Sequence, residues 1–248
     1  MRVSIEGLAL HYGATTAITS LDLAIERGEL LAVIGPNGSG KSSLVKAIAG
    51  LARHEGRVLF DGLMKRPERM GYMPQDTGSR AALTVLEAVL LGRLGRLGLR
   101  VGPEDLAAAE AVIAELDLAA LAPRYLGELS GGQRQLVFLA QALAGDPTLL
   151  LLDEPISALD IRHQLEVMQT VRRLTDERGL TTVVVLHDLN IAARFADRVA
   201  AMRQGRLVRL GDPADVVAPD LVAEVFGVEA ALSLAPDGRP VITPVRPL

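Results

Sequence analysis

Eight residues constrain this chain more than any others: Gly35-Pro36-Asn37-Gly38-Ser39-Gly40-Lys41-Ser42 match G-x-x-x-x-G-K-[ST] at every fixed position. They follow an apolar segment, Leu30 to Ile34, that reads as a strand, and they open a helical pattern from Lys41 to Ala49. Strand, glycine loop and helix in that order are the setting in which the pattern holds phosphate. The three glycines let successive backbone N–H groups turn inward, and the helix directs its positive dipole end at the same anion. Lys41 then reaches the outer phosphates, while the Ser42 hydroxyl suits Mg²⁺, a hard cation that prefers oxygen and keeps several waters. An unliganded glycine-rich turn is the alternative, and the ordered strand, Lys and Ser around the loop argue against it.

Two further strands reach their carboxyl ends on chemically active residues. Thr148 to Leu152 is an unbroken apolar run that delivers Asp153-Glu154-Pro155, and Thr181 to Leu186 is another that delivers His187. Ligands of open α/β sheets sit outside the carboxyl ends of the strands. Asp153 is therefore expected to hold Mg²⁺, directly or through water, and Glu154 to orient and deprotonate an attacking water. His187 shares that sheet edge, which favours contact with a terminal phosphate over a structural role.

The rest of the chain is expected to build around this edge as an α/β fold. Arg2 to Leu8, Ser20 to Ile25 and Gly56 to Phe60, the last ending in the turn signal Asp61-Gly62, predict an antiparallel layer. His11-Tyr12-Gly13 reads as a loop between the first two strands; its ring is free either to stack on a nucleotide base or simply to pack. Met70 to Met73 is a short strand followed by Pro74-Gln75 and a polar loop to Arg80. Helices are then expected from the capping box Thr84 to Glu87, from Pro103 to Leu116, and from Gly131 to Leu143. Residues 77–142 accordingly read as a helical insert in a core of 1–76 and 143–227, with 228–248 as a tail.

Within the insert, Gly92 to Arg100 repeats every three residues and is too glycine-rich for a firm helix, leaving a solvated connector or a basic docking loop. Leu129-Ser130-Gly131-Gly132-Gln133 places a capping box over two glycines, which is either a plain N-cap or a second anion site. Beyond the acids, a helix is expected from Ser157 to Arg178 and another from Asp188 to Ala196. Short strands flank Gln204-Gly205, helices open at Pro213 and Pro219, and a peripheral hairpin turns at Pro236-Asp237-Gly238.

Composition narrows the partners. The 248 residues carry a net charge of -4, which gives no bulk attraction to nucleic acid, and contain no cysteine, which removes disulfides and thiolate chemistry. The start alternates like a strand and has no signal-peptide character. The longest uncharged run, Gly7 to Leu21, is broken by His11, Gly13 and threonines, so no membrane crossing is expected.

Taken together in this order and spacing, the glycine loop, Pro74-Gln75, Leu-Ser-Gly-Gly-Gln, Asp153-Glu154, Ser157-Ala158-Leu159-Asp160 and His187 resemble the nucleotide-binding subunit of ATP-binding cassette transporters, from about residue 2 to 227. The resemblance implies a P-loop core with a mainly parallel sheet, an antiparallel layer and a helical subdomain. It also implies ATP and Mg²⁺ as ligands, and two cassettes meeting head to tail around two ATP molecules. Position by position, Tyr12 would stack on adenine, and Gly35, Asn37, Gly38, Ser39, Gly40, Lys41, Ser42 and Ser43 would wrap the phosphates. Ser42, Gln75 and Asp153 would attend the metal, Glu154 would be the base, and His187 would hold the γ-phosphate. Ser130, Gly131, Gly132 and Gln133 would act on the partner's ATP, with Asp160 at the dimer seam. Ile156 departs from the threonine of many cassettes and touches none of this chemistry.

Arg162-His163-Gln164-Leu165-Glu166-Val167, His187-Asp188-Leu189-Asn190 and Ala192 to Arg198 are similar to the cassettes of bacterial importers for iron-siderophore, haem and vitamin B12 complexes. That likeness implies a peripheral ATPase on the cytoplasmic face of the inner membrane, bound to a permease and served indirectly by a substrate-binding protein. Another cargo, a non-transport cassette such as one for iron–sulfur assembly, and a module that holds ATP without hydrolysing it are the rival readings.

Overall fold

A computed structural model describes residues 1–75, 82–93, 101–157 and 159–248. The polar loop expected to end at Arg80, most of the Gly92 to Arg100 repeat, and Ala158 lie outside these residues.

Three strands without a single exposed residue, β3 (Leu30–Ile34), β6 (Leu149–Asp153) and β7 (Thr181–Val185), form the centre of a six-stranded sheet. Apolar runs of this length must be covered on both faces. With β5 (Met70–Met73), β8 (Arg198–Arg203) and β9 (Arg206–Gly211), the order is β5-β6-β7-β3-β8-β9, parallel except for the antiparallel edge strand β9. One face packs on α1 (Lys41–Ala49) and on an antiparallel sheet of β1 (Val3–Tyr12), β2 (Thr15–Ile25) and β4 (Glu55–Phe60). The other packs on α2 (Val85–Leu91), α3 (Pro103–Glu115), α4 (Gly131–Leu143), α5 (Ile161–Arg178), α6 (Leu189–Phe195), α7 (Pro213–Val216) and α8 (Pro219–Phe226). Because β3, β6 and β7 run parallel with α1 on one face and α5 on the other, their carboxyl ends open onto a crevice.

The expected α/β class and antiparallel layer are present, and four local expectations are corrected. His11 and Tyr12 belong to β1, not to a loop: the pair Tyr12↔Thr15 extends the hairpin so that only Gly13-Ala14 turn. The turn at Asp61-Gly62 forms, with both residues at positive φ, but it leads to a single bridge, Phe60↔Leu63, because β4 pairs with β1 instead. The helix expected from Ser157 starts at Ile161. Ser157 folds back, donating its N–H and hydroxyl to the Glu154 carbonyl at 3.2 and 3.0 Å, and Asp160 becomes the cap by accepting from the His163 N–H at 2.9 Å. Finally, the tail hairpin, β10 (Val228–Leu234) and β11 (Pro240–Pro247), is not merely peripheral, since Ile242 is buried in the core beside α6. No helix among the described residues is long and apolar enough to cross a membrane.

Candidate functional site

The crevice is a cleft of about 520 Å³ lined by Tyr12, Thr15, Thr16, Ala17, Asn37 to Ser43, Gln75, Glu154 and His187. Its floor is the glycine loop. Gly35, Gly38 and Gly40 all adopt positive φ, and a Cβ on Gly35 would lie 2.2 Å from the Met202 carbonyl oxygen of β8. Only glycine lets the loop press this closely on the neighbouring strand. Lys41, buried under the loop, donates to the carbonyls of Gly35 and Pro36 at 2.9 and 3.1 Å. Burial lowers its pKa, against the opposing pull of the Glu154 and Asp153 carboxylates. With a lowered pKa that burial drives, the ammonium is a charge looking for an anion.

Beneath the loop, the Ser42 hydroxyl donates to Asp153 Oδ1 at 2.9 Å. The other oxygen, Oδ2, is buried without a hydrogen-bond partner among the described residues, and the residue is only 1% exposed. Burial raises the Asp153 pKa; the Ser42 bond works the other way, and the Glu154 charge adds to the rise. An orphaned carboxylate oxygen beside a hydroxyl is a donor set that suits a hard, partly hydrated cation. Among the described residues no three His, Cys, Asp or Glu side chains converge, so an all-protein metal cage is not what the site offers.

Glu154 follows β6 with φ of 56°, a left-handed backbone that is costly for a residue with a side chain. Its Oε1 stands 2.6 Å from His187 Nε2. The carboxylate side chain is largely buried and the imidazole is 45% exposed, so the pair spans the wall of the cleft from floor to mouth. Residue order gave both positions but not this contact, which depends on β6 and β7 lying side by side. Thr15, Thr16 and Ala17 were also missed, for only the extended β1–β2 hairpin carries them to the cleft. Tyr12 lies there with its ring half exposed.

Five sequence-derived candidates stand elsewhere. Ser130 and Gln133 close the predicted capping box on α4, Gln133 N–H to Ser130 Oγ at 3.3 Å and Ser130 N–H to Gln133 Oε1 at 3.1 Å, at an exposed helix start outside the cleft. Gly131 and Gly132 lie between them, and a Cβ on Gly132 would meet the His163 ring at 2.6 Å. His163 in turn places Nδ1 2.8 Å from Asp160 Oδ1, so the starts of α4 and α5 adjoin through one imidazole.

Comparison with known proteins agrees with this geometry. Residues 18–157 match the family model described as ABC transporter. The hemin import ATP-binding protein HmuV of Myxococcus xanthus is 39% identical, over 98% of this chain and all of that protein. The iron(3+)-hydroxamate import ATP-binding protein FhuC of Bacillus subtilis is 37% identical, over 94% of this chain and 91% of that one. Among solved structures, an inward-facing conformation assigned to a metal-chelate type ABC transporter superposes with a TM-score of 0.87 at 28% identity, over 98% of this chain and 97% of its own. With the phosphate cradle, the acid pair and the histidine gathered on one sheet edge, and with relatives matched from end to end, the chain belongs to the ABC transporter family.

Proposed function

We propose that the chain is the ATP-hydrolysing subunit of an importer for an iron chelate, a siderophore or haem complex or a related metal chelate such as vitamin B12. The observation that carries the hydrolytic part is the Glu154–His187 pair at 2.6 Å on the wall of a cleft whose floor is the glycine loop. The cargo rests on the likeness to the hemin and iron-hydroxamate proteins, because a cassette does not touch what is carried.

In this reading Tyr12 stacks on the adenine, and the backbone of Asn37 to Ser43 with the Lys41 ammonium holds the phosphates. Ser42 and Asp153, with Gln75 at the cleft, are the residues that would hold Mg²⁺; once bound, the ion supplies positive charge against the phosphate oxygens. Glu154 accepts a proton from a water that attacks the terminal phosphorus, the bond to the ADP oxygen breaks, and ADP and phosphate leave. His187 steadies the terminal phosphate from the mouth of the cleft and keeps the Glu154 carboxylate aimed. Ser130, Gly131, Gly132 and Gln133 complete the site of a second copy, and Asp160 lies at the seam. Residues 77–142 work as a helical unit against the core, and from the cytoplasmic face the chain moves a membrane permease that docks between core and helical unit, with a substrate-binding protein on the far side.

Glu154→Gln keeps the shape of the side chain and removes the base. Turnover is expected to fall on the order of 10²-fold or more while ATP still binds. The same variant, loaded with ATP and purified from gently solubilised membranes, is expected to bring a polytopic permease with it. Undiminished turnover would remove Glu154 as base; a soluble assembly factor or nucleic acid in place of the permease would remove the importer.

A further inference from the structure

We propose that the C-terminal hairpin is a positioning device for the nucleotide site, and that Asn190 is the residue through which it acts on His187. The inference rests on the reading of Glu154 and His187 as the hydrolytic pair.

His187 lies in the three-residue link, Leu186 to Asp188, between β7 and α6, so its placement depends on how those two elements are held. On the strand side the Leu186 N–H donates to the Val33 carbonyl at 3.0 Å, fixing the end of β7 to β3. On the helix side α6 has only seven residues, too few to hold itself by internal bonds. Asp188 caps it, accepting from the N–H groups of Asn190 and Ile191 at 2.8 and 2.9 Å. A further restraint, beside the packing of α6 in the core, comes from 52 residues further along the chain.

Asn190 faces β11 and pairs with Ile242 as a neighbouring strand would: its Oδ1 accepts from the Ile242 N–H at 2.8 Å, and its Nδ2 donates to the Ile242 carbonyl at 3.1 Å. Only a side chain that offers donor and acceptor together makes both bonds. At the other end of the helix, Arg239 Nη1 donates to the Ala193 carbonyl at 3.0 Å. Both ends of α6 are thus tied to the hairpin. The hairpin is itself anchored, with the Ile242 side chain in the apolar cluster that contains Ile191, Ala192 and Ala193, and the Leu248 N–H on the Gly227 carbonyl at 2.9 Å. The clamp lies three residues from His187, on the helix that follows it. With the clamp released, the start of α6 and the imidazole before it are free to shift relative to Glu154, and proton-transfer geometry tolerates little displacement.

The test uses the full-length chain. Asn190 is exposed, so Asn190→Ala removes both bonds without opening a cavity. The expected result is a fall in kcat on the order of tenfold with KM for ATP within about twofold. The imidazole resonances of His187, one of four histidines in the chain, should move as its contact with Glu154 loosens. Asn190→Asp adds a readout that loss of packing would not produce. As a carboxylate it faces the Ile242 carbonyl and cannot donate; protonated, it donates and accepts as Asn190 does, so its activity relative to the parent chain should recover as pH falls. Asp188, which caps α6, and Arg194, Asp237 and Arg239, which line the adjoining cleft, are common to both chains, so activity is compared as the ratio to the parent at each pH. A folded Asn190→Ala chain with parental kcat and unmoved His187 resonances would overturn the proposal, as would a low-pH series for Asn190→Asp with no recovery. If the parent chain hydrolyses no ATP, the hydrolytic reading fails and the His187 resonances alone decide this one.

Discussion

Replacing Lys41 by methionine tests the site at its most charged point. The ammonium is buried beneath the glycine loop and already donates to two carbonyls, those of Gly35 and Pro36. A phosphate entering the cradle must therefore draw the ammonium from existing partners. A pair of unit charges about 4 Å apart at an effective dielectric near 20 is worth about 4 kcal/mol. The two carbonyl bonds given up are worth about 1 kcal/mol each. The difference, about 2 kcal/mol, corresponds to roughly 30-fold in affinity. Methionine keeps the unbranched stem and is shorter by the one atom that carries the charge, so the loop stays supported.

Titration with a fluorescent ATP analogue should therefore give a Kd about 30-fold weaker for Lys41→Met. Without nucleotide the folded chain should be close to the parent in stability, because relief of the buried charge, whose burial is the first cause of the lowered Lys41 pKa, offsets the two carbonyl bonds lost. Nucleotide should then raise the melting temperature of the parent by more than that of the variant. Parental affinity in a folded variant would refute the argument that the ammonium transfers from carbonyl to phosphate. A large drop in nucleotide-free stability would show instead that the two carbonyl bonds are what the residue is for.

Two further outcomes follow from the same neighbourhood. Gly35→Ala places a Cβ 2.2 Å from the Met202 carbonyl and 2.7 Å from Ser39 Oγ at φ of 150°; with backbone on one side it should destabilise by about 3 kcal/mol, measured by the urea midpoint, and parental stability would mean that the loop does not press on β8. Asp160→Asn keeps an acceptor for the α5 cap while removing a carboxylate whose pKa the His163 N–H and ring hold below the usual range. A depressed carboxylate contributes stability that is present above its unfolded pKa and lost as pH falls through the folded one. The variant's melting temperature should therefore decline less steeply than the parent's on acidification through the carboxylate range, and parallel curves would refute the assignment.

What the sequence made legible, it made legible locally. The glycine loop, the apolar runs of β6 and β7 and the capping boxes at Thr84 and Ser130 each occupy a few consecutive residues, and each is where it was expected. What was not legible depends on pairing between distant segments. Glu154 and His187 touch only because β6 and β7 are neighbours, an adjacency that no local periodicity specifies. Tyr12 read as a loop residue because Gly13 and the threonines after it break the apolar alternation; cross-strand pairing to Thr15 overrides that weak signal. Ser157 read as the first residue of a helix that Asp160, three residues on, caps. Its hydroxyl is instead taken by the Glu154 carbonyl, whose left-handed backbone turns the chain before any helix can start.

The geometry also sorts the candidate residues in a way that bears on assembly. Those assigned to the chain's own nucleotide, Tyr12, Asn37 to Ser43, Gln75, Glu154 and His187, line one cleft, with Gly35 and Asp153 directly beneath. Those assigned to a partner's nucleotide, Ser130 to Gln133, and the seam residue Asp160 do not line it; they form a second cluster joined by His163. That cluster satisfies its own side chains: Ser130 and Gln133 cap each other, and Asp160 caps α5. A helix start capped in this way, with Gly131 exposed at its first position and Gly132 against the His163 ring, leaves the Gly131 side open to an anion. The cleft, meanwhile, is lined by the glycine loop, by Tyr12 and Thr15 to Ala17 of the β1–β2 hairpin, and by Gln75, Glu154 and His187. In the head-to-tail pair proposed above, a second copy would bring its Ser130 to Gln133 cluster to this cleft, which that cluster does not line within one chain.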